Sequence, residues 1–144
     1  MEKLNLESSI KITQAAFEKS KELNTAPLTV AILDSGGAVI SLQRQDGASL
    51  MRPDIAIGKA WGAVALGKPS RLLGQDAQER PAFISAINTL ARGNIVPVAG
   101  GVLVRNSDNE IVGAVGITGD LSDVDEQCAV SGIQAAGLVA DAAG

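Results

Sequence analysis

Two β-branched-rich runs on either side of a glycine turn constrain the fold of this chain more than any other feature. The runs are LTVAIL (28–33) and AVISLQR (38–44), and the four residues DSGG (34–37) separate them. Two consecutive glycines supply the positive φ angles that a tight hairpin turn requires. The pattern therefore predicts two antiparallel strands, and it is the clearest hairpin in the sequence.

The β pattern returns in the second half of the chain. The runs IVPV, GVLVR and EIVGAVGIT begin at Ile95 and end at Thr118. Asn106 to Asn109 provides a second hairpin turn between the last two runs, and a Gly-Gly pair separates the first two. Three further strands are predicted, two of them joined as a hairpin.

Helical patterns precede, separate and follow these strands. Asn5 is a good N-cap for an amphipathic helix that ends near residues 24–27. Pro53 suits the first position of a second helix that runs to about Leu66; this helix is apolar on every side and should be buried. The remaining predicted helices are the short SRLLGQDA and PAFISAINTLARG and a final one over about 123–142.

This order of elements favours an α+β fold with a central antiparallel β-sheet flanked by helices. The strands occur in hairpins and do not alternate one by one with helices, which argues against a Rossmann fold. A chain of 144 residues corresponds to one domain, 1–144. With 46% hydrophobic and 19% charged residues, the composition is that of a compact globular protein.

The composition also excludes several classes of function. The chain has no histidine and no tyrosine, so it cannot form a Ser-His-Asp or Cys-His nucleophilic pair or an HExxH zinc site. Its net charge of -4 leaves no basic surface for binding phosphates, and its 2% aromatic content leaves few side chains on which bases could stack, so nucleic-acid binding is not expected. The single cysteine, Cys128, can form neither an internal disulfide nor a thiolate metal site alone, and no metal site is predicted.

The sequence has no pattern of export or membrane insertion. The segment MEKLNLESSIKI lacks the apolar run of a signal peptide. No window approaches the roughly 18 consecutive apolar residues of a membrane span. A single cysteine fits a reducing compartment, so we expect a cytoplasmic protein with neither a membrane nor a nucleic-acid partner.

Four carboxylates crowd a short segment near the end of the chain. They are Asp120, Asp123, Asp125 and Glu126. Neither Asp120 nor Asp123 begins a frame with the ligand spacing of an EF-hand loop, so calcium is not expected. Ser122 and Asp125 instead resemble a capping box at the start of the final helix. The alternative is a ligand-binding role, because the backbone amides of GITGD, which includes Thr118, precede that helix.

Lys59 is the second candidate functional residue. It is the only charged residue between Asp54 and Lys68, in the helix that should be buried. A buried ammonium group must find a partner or lose its proton. Arg44 and Asp46 are plausible neighbours, and the three together would form a polar patch of the kind found in small-molecule sites. The alternative is that the amine of Lys59 reaches solvent at the edge of the helix.

Several segments taken together resemble one known family. They are VAILDSGGAVISLQRQDGAS, IAIGKAWGAVALGKPS, VAGGVLVR and IVGAVGITGDLSDVDEQCAVSGI. In this order they resemble the GlcG/HbpS-like family, also called haem-degrading or PduO C-terminal-like, over about residues 6–140. The resemblance implies a profilin-like α+β fold, a homo-oligomer from dimer up to octamer, and binding of haem or a related tetrapyrrole in some members. Membership of a family fixes fold far better than function.

The motif positions of this family fall on glycines and a few charged residues. They are Asp34, Gly36, Gly37, Arg44, Asp46, Gly47, Lys59, Gly100, Gly101, Gly113, Gly116, Gly119, Asp125 and Glu126. The glycines are better explained as turn and packing devices than as ligands.

The first functional hypothesis is an oligomeric protein that binds haem, another tetrapyrrole or a small organic acid. If haem binds, either Met51, Lys59 or Cys128 ligates the iron, or the haem is held without a strong protein ligand. The expected ligand-binding residues are Arg44, Lys59, Gly100, Gly101, Thr118 and Asp125.

The second hypothesis is a cofactor-free enzyme, an isomerase, lyase or hydrolase, that acts on a small carboxylate or oxo compound. Arg44 would hold the carboxylate, Lys59 would donate a proton or stabilise negative charge, and Asp46 or Glu126 would act as the base. We favour binding over catalysis, because without histidine and tyrosine few catalytic groups remain. An accessory oligomer without a ligand is the third alternative.

Overall fold

The computed structural model describes residues 3–143 and forms a sheet flanked by helices on both faces. In chain order the elements are α1 (Leu6–Leu23), β1 (Thr29–Asp34), β2 (Val39–Arg44), α2 (Arg52–Leu66), α3 (Ser70–Glu79), α4 (Pro81–Leu90), β3 (Gly101–Arg105), β4 (Ile111–Thr118), α5 (Ser122–Ala135) and β5 (Val139–Asp141).

The five strands pair in the order β2-β1-β4-β3-β5, and every neighbouring pair is antiparallel. The two predicted hairpins are β1–β2 and β3–β4. The predicted α+β class with a central antiparallel sheet is confirmed.

Alternate residues of the central strands build two separate cores. Val30 and Ile32 of β1 face α1 and α5 and pack with Ile12 and Ile133. The neighbouring residues of β1 face the opposite side and pack against the alanines of α2. The helix α2 therefore covers one face of the sheet, while α1 and α5 cover the other.

Glycines on the strands let the backbone of α2 lie directly against the sheet. A Cβ atom at Gly116 of β4 would come 1.9 Å from the carbonyl oxygen of Ala56. A Cβ atom at Gly101 of β3 would come 2.2 Å from the carbonyl oxygen of Lys59. Both distances are far below van der Waals contact, so these glycines are packing devices, as the sequence suggested.

The predicted ends of the first helix are confirmed. The side chain of Asn5 accepts a hydrogen bond from the backbone N–H of Ser8 at 2.9 Å, and the helix ends at Asn24, which has a left-handed backbone with φ 54°. Both short helices, α3 and α4, are also present where the sequence predicted them.

Two predicted elements are wrong. Residues 95–98 form no strand, because Pro97 lacks an N–H and the N–H of Val96 donates to the carbonyl oxygen of Gly58 at 3.3 Å; the segment covers α2. The final helix ends at Ala135 because Gly137 adopts φ 78° and the N–H of Leu138 bonds to Ile133, a Schellman motif. The chain then forms the edge strand β5.

The expectation that α2 is buried on every side is only partly right. The side of the helix that faces the sheet is buried, and Lys59 lies on it. Ile57 and Trp61 are half-buried, and Leu66 is exposed. This partly open flank of α2 borders a cavity that is described below.

Candidate functional site

A buried ion pair joins α2 to the first turn of α5. The side chain of Lys59 is 2% exposed, and that of Asp125 is 1% exposed. The Nζ atom of Lys59 lies 3.3 Å from Oδ2 of Asp125 and donates to the carbonyl oxygen of Ile117 at 2.9 Å. The other carboxylate oxygen, Oδ1, accepts the backbone N–H of Asp120 at 3.0 Å. Every polar atom of the pair is thus engaged inside the protein.

Burial shifts the pKa values of both partners in the direction that favours their uncharged forms. Desolvation lowers the pKa of Lys59 below its ordinary value, and the charge of Asp125 opposes this effect. Desolvation raises the pKa of Asp125, and the ammonium of Lys59 opposes it. The direction in each case follows from the cost of keeping a charge away from water.

The backbone of Gly100 packs directly against the amine of Lys59. Its φ of 122° disfavours any side chain, and a Cβ atom would lie 2.8 Å from Nζ of Lys59. The next residue, Gly101, donates its N–H to Oγ of the buried Ser70 at 2.6 Å. The turn that contains both glycines is therefore built around the lysine and the serine.

Arg52 extends this polar group toward the start of α2. Its guanidinium donates to Oγ1 of Thr118 at 2.7 Å, and Thr118 is buried. The positive charge of Arg52 also contributes to the lowered pKa of Lys59. The sequence analysis missed Arg52, because nothing in MRPD distinguishes it from a solvated charge at a helix start.

Arg44 and Asp46 lie elsewhere. They line an open cavity of about 630 Å³ together with Lys21 and Thr25, and Arg44 donates to the carbonyl oxygen of Ala48 at 2.8 Å. The charged partner of Lys59 is instead Asp125. The prediction that Lys59 lies beside Arg44 and Asp46 is therefore wrong, and Lys59 pairs with Asp125 of the acidic segment instead.

The acidic segment divides between the interior and the surface. Asp125 is not a capping residue, since the N-cap of α5 is Leu121 with no side-chain cap; the predicted Ser122–Asp125 capping box is wrong. The carboxylate of Asp125 forms the ion pair with Lys59 instead. Glu126 lies near the surface, where Arg71 of α3 binds it with Nε to Oε2 at 3.0 Å.

An apolar cavity of about 550 Å³ opens on the outer flank of α2; we call it the α2 cavity. Trp61 lies in its wall, and a Cβ atom at Gly58 would lie 2.5 Å from a methyl carbon of Val96, so a side chain there would collide with Val96. The residues that line the cavity are Met51, Asp54, Ile55, Ile57, Gly58, Trp61, Gly93, Asn94 and Val96. An apolar wall with a few polar groups is the usual make-up of a small-molecule site.

Of the three candidate haem ligands, the α2 cavity contains Met51. Its side chain is 62% exposed and available to a ligand. Cys128 is fully buried in the core between the sheet and α5, where burial raises the pKa of its thiol to about 11. Lys59 is buried with Asp125 on the opposite side of α2.

Within residues 3–143 no three acidic or cysteine side chains cluster in a way that could hold a metal ion. None of the helices in the described part of the chain combines the length and the apolarity that crossing a membrane requires.

A family model described as haem-degrading protein, HbpS-like, matches residues 4–134. The chain belongs to this family. The match covers strands β1 to β4, α2 and the acidic segment of α5, which are the parts that carry the motif glycines and Lys59. The resemblance read from the sequence motifs is confirmed.

Several solved structures have the same fold as this chain. The crystal structure of a PduOC:heme complex superposes with a TM-score of 0.84 at 26% identity and covers 94% of this chain and 96% of that chain. A double mutant of HbpS from Streptomyces reticuli gives 0.77 at 28% identity over 93% of this chain and 87% of that chain. ORFY of Klebsiella pneumoniae gives 0.83 at 23% identity, covering 95% and 92%, and supports the fold alone.

One sequence relative is about three times as long as the part of it that this chain matches. The corrinoid adenosyltransferase PduO of Salmonella typhimurium is 29% identical over 124 residues, which are 86% of this chain and 36% of that protein. The chain thus spans about a third of the length of that relative.

Proposed function

We propose that this protein binds haem or a related tetrapyrrole in the α2 cavity. The family is described as haem-degrading, and the similar PduOC structure is a complex with heme. The single observation in this structure that carries the proposal is the apolar cavity with an accessible thioether, Met51, in its lining.

The cavity suits a flat apolar ring. Ile55, Ile57 and Val96 provide aliphatic walls, and the indole of Trp61 provides an aromatic one. Covering these groups with a macrocycle removes apolar surface from water on both partners, which is favourable by about 25 cal/mol per Å². The open side leaves polar edges of a ligand in contact with solvent.

Met51 is the residue that we assign to iron. Methionine sulfur is an axial haem ligand in other proteins, and this chain has neither the histidine nor the tyrosine that more often takes that place. Haem, when bound, would supply redox-active iron. The side chains of the cavity would bind the ring, orient it and exclude water from one of its faces.

We assign a positioning role to Lys59, Asp125, Gly100, Gly101 and Thr118. Lys59 lies next to Gly58 in α2, and its ion pair ties this helix to α5. These residues would hold the wall of the cavity in place without contacting the ligand. We further propose that the protein acts in the cytoplasm as a homo-oligomer, which the family resemblance and the single buried cysteine support.

The test is a haem titration with two readouts. Trp61 is the only tryptophan of the chain, so quenching of its fluorescence reports ligand in the α2 cavity, while the Soret band reports the iron environment. We expect saturable changes in both at micromolar haem. Free tryptophan amide at matched absorbance corrects for the inner-filter effect.

Two variants separate binding from ligation. Met51→Leu should shift the Soret band and keep the quenching, because leucine retains the apolar contact but has no sulfur. The neighbouring Leu50→Ala, at a side chain that is 91% exposed and outside the lining, is the matched control and should behave as wild type. No saturable Soret change together with unquenched Trp61 would overturn the proposal.

A further inference from the structure

A polar cavity at the C-terminal end of α1 holds charged residues that the haem proposal leaves without a role. This cavity of about 630 Å³ lies between α1 and the end of β2, and we call it the α1–β2 cavity. Lys21 of α1 lines it together with Arg44, at the end of β2, and Asp46, in the loop that follows. Within residues 3–143, Pro27 is the one apolar residue of its lining. In contrast to the α2 cavity, the α1–β2 cavity therefore suits a polar ligand.

Hydrogen bonds fix the two segments that form the α1–β2 cavity. The N–H of Gln45 donates to the carbonyl oxygen of Leu28 at 2.9 Å, and the side-chain oxygen of Gln45 accepts the N–H of Leu28 at 2.7 Å. At the end of α1, the N–H of Thr25 donates to the carbonyl oxygen of Ser20 at 3.1 Å, and Asn24 turns the chain with a φ of 54°. Since these segments are already ordered, a ligand that binds between them loses little affinity to the ordering of the protein.

The three charged side chains of this cavity are exposed and unpaired. Within residues 3–143, none of Lys21, Arg44 and Asp46 forms an ion pair. One terminal nitrogen of the Arg44 guanidinium donates to the carbonyl oxygen of Ala48 at 2.8 Å, which anchors the group and leaves its other donors available. Opposite charges that line one cavity without pairing can each bind a separate group of the same ligand.

The distribution of charge favours a ligand that carries both signs. A guanidinium such as that of Arg44 binds a carboxylate through two parallel hydrogen bonds, and Lys21 adds a second positive charge. Asp46 can bind an ammonium group, and the negative end of the α1 dipole also favours a cation at this end of the helix. Asp46 would repel a dianion, and the two basic residues would repel a simple cation. A zwitterion is attracted by both signs of charge.

We infer that the α1–β2 cavity is a binding site for a zwitterionic α-amino acid with an uncharged polar side chain. The carboxylate of the ligand binds Arg44 and Lys21, its ammonium group binds Asp46, and its side chain contacts polar lining residues such as Asn24. This site is independent of the haem proposal, because the two cavities share no lining residue. Since its charges are exposed and screened by salt, we expect a dissociation constant on the order of 1 mM.

A titration with L-glutamine, followed by NMR of ¹⁵N-labelled protein at pH 7, tests the site. We expect saturable shifts of the backbone amide signals of Thr25, Gln45 and Asp46, and no shift at Gly58, which lines the α2 cavity. Two analogues each lack one charge of glutamine: 4-carbamoylbutanoate has no ammonium group, and 4-aminobutanamide has no carboxylate. Each analogue should bind at least about fivefold more weakly than glutamine.

Two variants assign the charges of the ligand to residues. Asp46→Asn should weaken the binding of glutamine about 2- to 5-fold and strengthen that of 4-carbamoylbutanoate, which Asp46 repels. Arg44→Gln should weaken glutamine to a similar extent and strengthen 4-aminobutanamide. The matched controls, Asp108→Asn and Arg92→Gln, remove the same charges at exposed positions outside the lining and should leave all three constants unchanged. No saturable shift at 50 mM glutamine, equal affinities for glutamine and both analogues, or variants that behave as their controls would each overturn the inference.

Discussion

The ammonium of Lys59 lies 3.3 Å from the carboxylate of Asp125, and both side chains are almost completely buried. The two residues belong to α2 and α5, which lie on opposite faces of the sheet. The ion pair lies where β3 begins and β4 ends, and it links the two helix layers there. Removing water from both charges costs free energy that their attraction recovers only when both are present.

Removal of one partner should therefore destabilise the protein strongly. Lys59→Met conserves volume but leaves Asp125 as an uncompensated buried charge, and we expect a loss of about 3–5 kcal/mol in the free energy of unfolding. Asp125→Asn should cost a similar amount, although asparagine can still accept the N–H of Asp120. The double variant should cost much less than the sum, and urea unfolding of all four proteins measures the coupling. Additive losses would show that the two side chains do not interact.

The same pair predicts how stability depends on pH. Because burial raises the pKa of Asp125 above 3.8, the native state binds more protons than the unfolded state just above that value, and stability falls as pH rises through this window. Because burial lowers the pKa of Lys59 below 10.5, the unfolded state binds more protons just below that value, and stability rises as pH approaches it.

Relative to the Lys59→Met/Asp125→Asn double variant, the wild type should thus be least stable near neutral pH. Urea unfolding of both proteins at pH 4, 7 and 10 measures the difference, from which the titration of all other groups cancels. If the wild type is instead most stable relative to the double variant at pH 7, attraction within the pair outweighs its desolvation.

The sequence predicted the frame of the site better than its contacts. The paired glycines at Gly36-Gly37 and the β-branched runs around them predicted the hairpin. The missing charges in α2 left two alternatives for Lys59, burial or contact with solvent, and Lys59 is buried. The partner of Lys59 could not be predicted, because Asp125 is distant in the chain and resembled a helix cap. The α2 cavity was also missed, since it depends on how the irregular segment around Val96 lies against the helix.

The close approach of α2 to the sheet should make Gly116 intolerant of any side chain. Gly116→Ala would place Cβ 1.9 Å from the carbonyl oxygen of Ala56, so the helix must move away and loosen the core. We expect a loss of about 3 kcal/mol or more in unfolding free energy. Gly36→Ala is the control, because its Cβ would meet nothing nearer than Asp34 Oδ1 at 3.4 Å, and it should change stability by no more than about 0.5 kcal/mol. Equal stability of the two variants would contradict the described packing.

Asp54 is the one charged residue in the lining of the α2 cavity, and it should weaken the binding of any carboxylate-bearing tetrapyrrole. Since the side chain is exposed, its repulsion of haem propionates should be worth about 0.2–1 kcal/mol, and Asp54→Asn should lower the dissociation constant by about 1.5- to 5-fold. The gain should shrink in 0.5 M salt, because surface charges are screened there. Asp46→Asn removes the same charge from the other cavity and should leave haem affinity unchanged. Quenching of Trp61 measures both constants, and an equal effect of the two substitutions would place the ligand outside the α2 cavity.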